Sequence, residues 1–146
     1  MLYEVIKYLY PNIQDSQFSL RDDSDGLGPY IHSWSYPQPA PTQQQIDEAL
    51  PVVHFQALVK QFDAAVEAYL HAGATAHGYT NIERACMYAA YQNPFQAESQ
   101  SYVEWVGKVW AYCYQVLELV EDGVRQIPTV EELISELPKR SLGGTP

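Results

Sequence analysis

Pro37, Pro39 and Pro41 recur at every second residue and lead at once into Thr42. No other feature restricts the fold as strongly. Proline fixes φ and removes a backbone donor, so this run can be neither helix nor interior strand. It is expected to be an extended arm that separates the N-terminal residues from the rest of the chain. Thr42 then opens a helix, with Gln45 at the third position of a capping box. Pro51 is expected to end or kink that helix, giving a linker and short helix over 37–51.

Before the arm, Phe18 and Leu20 alternate with Ser19 and Arg21, and Tyr30, His32 and Trp34 alternate with Ile31 and Ser33. The intervening Asp22–Pro29 is rich in turn formers, so the pattern predicts a hairpin with a long loop and an aromatic face on its second strand. Leu2, Val5, Ile6 and Leu9 have helical spacing ahead of Pro11, although Tyr3–Ile6 also reads as a strand.

After Val52 the pattern is helical. Phe55, Leu58, Val59, Phe62, Val66, Tyr69 and Leu70 form one face. Gly73 and Gly78 bracket a break. Thr80-Asn-Ile-Glu83 predicts a capped helix to about Tyr91, and Asn93-Pro94 starts the longest helix, which Gly123 stops. The segments 41–51 and 128–138 share a capped start and a proline stop. They are either an internal repeat or two uses of one short-helix pattern. The expected architecture is α+β: a helix–hairpin module over 1–36, the arm and short helix, a domain of three to four helices over 52–138, and a flexible tail over 139–146.

The 146 residues carry a net charge of −10, with 18 acids against 8 bases. The first 50 residues hold seven acids and two bases, and the remainder eleven and six, so neither half offers a basic face. Nucleic acid and anionic membrane surfaces are therefore disfavoured as partners. No apolar run approaches the roughly 20 residues of a membrane span, and the N-terminus lacks the pattern of a signal peptide. Cys86 and Cys113 have no metal or redox spacing and are expected to be buried reduced thiols.

Candidate chemistry is sparse. With Gly26 at the sixth position of a calcium loop, Asp23 and Asp25 fit, but Arg21 and His32 occupy the two defining ends. An acidic hairpin tip is the better reading. His71 and His77 flank the glycine break without a third ligand at metal spacing. Cys86 comes two residues after Arg84 but lies in a helical pattern. No nucleophile elbow or phosphate loop occurs. No catalytic residue, cofactor or metal ligand is assigned. A metal- or thiol-dependent enzyme using His71, His77 or Cys86 is the remote alternative.

Aromatics carry the remaining signal. Twelve tyrosines suit core edges and interfaces alike. On the long helix Trp105, Trp110, Phe95, Tyr102, Tyr112 and Tyr114 lie on more than one side, so one stripe is core and the excess is either covered or offered to a partner. The residues expected to contact a partner are Tyr30, Trp34, Tyr36 and Pro39 around the arm, with Trp110, Tyr112 and Tyr114 on the long helix.

Leu2-Tyr-Glu-Val-Ile-Lys-Tyr-Leu-Tyr-Pro-Asn12, Phe18-Ser-Leu-Arg-Asp-Asp23, Gly28-Pro-Tyr-Ile-His-Ser-Trp34 and Pro39-Ala-Pro-Thr42, in that order, resemble the XkdW family of phage and prophage tail proteins. The resemblance covers about the first 45 residues. Gly78–Ala90, Asn93–Glu98, Val109–Cys113 and Pro128–Leu133 resemble a helical segment of tail-fibre-region proteins, with Trp105-Val106 where that pattern has Trp-Arg. The resemblance implies a non-enzymatic tail protein, assembled in the host cytoplasm and located in the virion tail. It would be a structural or adaptor subunit at the fibre or baseplate, or else a fibre assembly chaperone. Its partner would be a tail fibre or baseplate protein, with self-association possible.

Overall fold

A computed structural model describes residues 1–141. Helix α1 (Leu2–Leu9) leads through a single 3₁₀ turn (Asp15–Gln17) into strands β1 (Phe18–Arg21) and β2 (Tyr30–Trp34). Helices α2 (Gln43–Thr75), α3 (Ile82–Cys86), α4 (Gln96–Glu121) and α5 (Val130–Glu136) come after the hairpin. The architecture is α+β, as the sequence predicts. The chain divides into two compact units, Met1–Lys60 and Gln61 onward.

In the first unit α1 buries two adjacent residues completely, Val5 and Ile6. Successive helical residues point about 100° apart, so α1 serves two surfaces. Val5 packs with Ala49 and Val53 of α2. Ile6 packs with Ile13 and Phe18, joined by Leu20, Ile31 and Trp34 of the hairpin. Lys7 ties down the connection, donating to the Ile13 carbonyl at 2.8 Å and pairing with Asp15 at 2.7 Å.

β1 and β2 pair antiparallel, Phe18 opposite Trp34 and Arg21 opposite Tyr30. The register shifts between Ser19 and Leu20, whose partners are Ser33 and Ile31. His32 is thus an extra residue, a β-bulge. The alternating face of Tyr30, His32 and Trp34 expected from the sequence is therefore absent. One inserted residue resets the two-residue period, so Ile31 and Trp34 join the buried cluster while Tyr30 stays 42% exposed.

The Thr42 capping box forms. The Thr42 N–H donates to Gln45 Oε1 at 2.9 Å, and the Gln45 N–H to Thr42 Oγ1 at 3.2 Å. The expected stop at Pro51 does not occur, because α2 runs through it. An interior proline costs about 3 kcal/mol in lost hydrogen bonding and ring clash. Here Ala49 and Val53, on either side of Pro51 and four residues apart, are both buried against Val5. Ending the helix would uncover them. The arm and the opening of α2 belong to the first unit.

The second unit is organised by α4. Tyr102, Trp105, Val109 and Val116 are buried, with Val66, Leu70 and Ala74 of α2, Ile82 and Ala85 of α3, and Leu133 of α5 in the same cluster. Phe62 and Tyr69 pack against it from α2. Ser99, fully buried, donates its hydroxyl to the Ala85 carbonyl and links α4 to α3. Three helix boundaries differ from expectation: α4 begins at Gln96, with Phe95 rather than Asn93 at its N-cap, and it is shorter than α2. Asn81, not Thr80, caps α3 by accepting from the Arg84 N–H at 2.8 Å, and α3 ends at Cys86 rather than near Tyr91. Asn93 explains the early stop. Its amide donates to the carbonyls of Tyr88 and Tyr91 and its oxygen accepts from the Phe95 N–H, so a turn replaces helix.

Gly123, at φ +69°, ends α4 as predicted. Thr129 and Glu132 form the capping box of α5. The expected flexible tail is ordered at its start. The Arg140 guanidinium lies 4.0 Å from the centre of the Tyr102 ring and donates to Ser101 Oγ at 2.9 Å. Residues 142–146 of that segment lie outside the described residues.

Candidate functional site

The proline arm is held by an aromatic cage. Tyr10, from the end of α1, packs edge-on against Trp34 at 5.2 Å and Tyr36 at 5.6 Å between ring centres. Each such pair adds about 0.5–1.5 kcal/mol beyond area burial. Two polar tips complete the clamp. Trp34 Nε1–H donates to the Gln38 carbonyl and the Tyr10 hydroxyl to the Pro39 carbonyl, each at 2.8 Å. Since proline cannot donate, the arm offers carbonyls, and two of them are taken by aromatic donors. Pro41 is buried, whereas Pro37, Gln38 and Pro39 remain exposed.

Of the residues expected to contact a partner, Trp34, Tyr36 and Pro39 therefore come together, with Trp34 and Tyr36 only half-exposed. Tyr30 sits apart with the hairpin loop, donating to Asp23 at 2.9 Å, which raises its hydroxyl above the usual tyrosine value. Asp22 and Asp25 accept from the backbone N–H groups of Ser24 and Leu27 at 2.9 Å. The acidic tip thus uses its carboxylates on its own turn. On α4, Trp110 packs partly against the core, Tyr112 donates to Glu136 at 2.8 Å, and Tyr114 is 68% exposed. Tyr10 is a site residue that sequence reasoning missed. Its signal is its place immediately before Pro11, which stops α1 and leaves the ring free to turn toward the arm.

Metal-ligand chemistry converges in one place among the described residues. Single ligand atoms of Glu67, His71 and Glu83 lie within 4.8 Å of one another. The Glu67–His71 pair has readable i, i+4 spacing, whereas Glu83 reaches it only because α3 packs there. His71 Nδ1 already accepts the Ile82 N–H at 3.2 Å, an otherwise open donor in the first turn of α3. A metal at Nδ1 would displace that bond. A metal at Nε2 would put the proton on Nδ1 and oppose two donors. The trio is better explained as a cap on α3. His77 faces Tyr102, with ring centres 6.4 Å apart.

The thiols are not activated. Burial first, then the Glu83 carboxylate, pushes Cys86 up, and burial first, then Asp63, pushes Cys113 up. A nucleophilic cysteine needs the opposite shift.

The fold defines an α+β protein with a helix–hairpin unit, whose proline arm is clamped by aromatics, and a helical unit after it. Within that class, residues 2–55 match the family model described as XkdW protein. The match spans α1, the hairpin, the arm and the opening of α2, and marks this segment as phage-related. The N-terminal resemblance read from the sequence thus holds over these residues. No curated protein and no solved structure matches the chain. Among the described residues no helix is long and apolar enough to cross a membrane.

Proposed function

We propose that the protein is a non-enzymatic subunit of a bacteriophage tail, an adaptor at the tail fibre or baseplate that binds fibre protein. The observation that carries this reading is the family match over residues 2–55, which coincides closely with the first compact unit. The clamped arm supports it. A rigid extended segment loses little conformational entropy on binding, which favours recognition. In this reading Pro39 and Tyr30 touch the partner directly, while Trp34 and Tyr36 hold the arm in shape. Trp110, Tyr112 and Tyr114 belong to a second contact on α4, of which Tyr114 is the most accessible. The raised thiols and the committed His71 support a protein that acts by binding.

Mass spectrometry of purified virions tests the proposal. Several copies per particle are expected. Consistent absence from particles, with binding to fibre protein in infected cells, would replace the subunit with an assembly chaperone. Absence of both would refute tail association.

A further inference from the structure

The second unit holds a concavity of about 300 Å³ whose chemistry departs from the rest of the chain. Its floor is Tyr69, Gly73 and Trp105, and its rim is His77, Lys139 and Arg140. Gly73, having no side chain, lets α2 lie directly against the Trp105 ring. Trp105 Nε1–H donates to the Pro138 carbonyl at 2.6 Å and the Tyr69 hydroxyl donates to the same carbonyl at 3.3 Å. That double anchor delivers Lys139 and Arg140 to the rim.

The electrostatics are inverted here. The chain has 18 acids and 8 bases, yet among the described residues no acid lines this concavity. Glu98, which acts on Tyr79 and on the Tyr102 ring beneath Arg140, is not part of the lining. Among the described residues neither Lys139 nor Arg140 forms an ion pair, although exposed acids are plentiful. Arg140 is also pre-positioned. Its guanidinium is stacked on Tyr102 and spends one N–H on Ser101, leaving other donors in a fixed fork.

We propose that this concavity takes an acidic peptide segment of a partner protein. One carboxylate would lie between Lys139 and Arg140, and an adjacent apolar side chain would cover Tyr69, Ala72 and Ala76 beside the edge of Trp105. Charge complementarity selects the carboxylate, since two unpaired bases in a chain of −10 attract acid. The apolar lining of Tyr69, Ala72 and Ala76 selects a peptide over a free anion, because a small dicarboxylate would leave it wet. A nucleic acid would need a broader basic surface than two bases supply. The concavity lies beyond residues 2–55, so the inference is independent of the family match.

The probe is a hexapeptide of alternating glutamate and leucine, titrated into full-length isotopically labelled protein and monitored by NMR. Its glutamine-for-glutamate isostere and free glutamate are the controls. The acidic peptide is expected to shift the Trp105 indole N–H and the Gly73 and Lys139 amides. Lys139→Glu is expected to weaken binding at least about tenfold. Lys139 is exposed, so this variant keeps its fold, which circular dichroism checks; Arg140→Gln provides a second variant. Equal shifts with the neutral isostere, binding that ignores Lys139→Glu, or no shifts at all would overturn the proposal. Equal shifts with free glutamate would reduce the site to one for small anions and overturn the peptide occupant.

Discussion

A Cβ placed on Gly73 would lie inside van der Waals contact of Trp105 Cη2 and 2.9 Å from its Cζ3. Trp105 cannot retreat, because it is 4% exposed and its Nε1–H is held by the Pro138 carbonyl. The contact between α2 and α4 is therefore set by a missing side chain.

Gly73→Ala is expected to destabilise the protein by about 1–3 kcal/mol through overpacking. Gly107, mid-α4 with open space around the Cβ site and no positive φ, provides the internal contrast. Gly107→Ala should stabilise by about 0.4–1 kcal/mol by reducing the freedom of the unfolded chain. Urea unfolding of the two variants checks both signs.

Pro51 interrupts the hydrogen-bond ladder of a helix in which Ala49 and Val53, two residues away on either side, are buried. Pro51→Ala restores a donor to α2 and should raise stability by up to about 3 kcal/mol. Thermal unfolding measures it. A loss of stability would show that the proline fits its helix without strain.

Asn81 and Thr80 compete for the role of cap in the sequence, and only Asn81 accepts from a helical N–H. Asn81→Ala should cost about 0.5–2 kcal/mol, whereas Thr80→Ala should cost almost nothing. Equal losses in denaturant titration would contradict this assignment.

Tyr102 is fully buried, and among the described residues its hydroxyl is the one buried side-chain polar atom without a hydrogen-bond partner. Tyr102→Phe removes that orphan while keeping the ring under Arg140. Stability should be unchanged or rise by about 1 kcal/mol. A clear loss in calorimetry would mean that the hydroxyl is satisfied in solution.

Glu136 accepts from Arg125 Nη2 through both its oxygens, at 2.9 and 2.8 Å, and from the Tyr112 hydroxyl at 2.8 Å. Arg125 first, then Tyr112, holds its carboxyl below the ordinary value of 4.5. A lowered folded-state pKa contributes stability that is present above the unfolded value and lost as pH falls through the folded one. Wild type should therefore lose a small increment below about pH 4.5, and Glu136→Gln should lack that increment. The pair is exposed to water, so the effect is modest. Melting temperatures of the two proteins between pH 6 and 3 make the comparison.

The periodic and punctuated parts of the chain are legible in the sequence because they rest on local physics. Proline fixes φ, so the arm is readable. The Thr42 and Thr129 boxes and the Gly123 stop are readable because each satisfies helix-end groups within a few residues. The α2 face from Phe62 to Leu70 comes from its period. The candidate site is legible only as a collection of aromatics. Trp34, Tyr36 and Pro39 can be named, but Tyr10, which clamps them, comes from a different element.

Tertiary structure decided what depended on distant partners. Pro51 stays helical because Val5, 46 positions earlier, buries Ala49 and Val53 around it. Tyr30 and Trp34 part company because a bulge at His32 is fixed by pairing with β1, which no alternation rule contains. The cationic rim exists because Trp105 and Tyr69 capture the Pro138 carbonyl and carry Lys139 and Arg140 with it. The sequence alone determined where elements begin, where the arm lies and how charge is distributed, all set within a few residues along the chain. Which side chains meet was decided by packing, since burial rewards contacts irrespective of their separation in sequence.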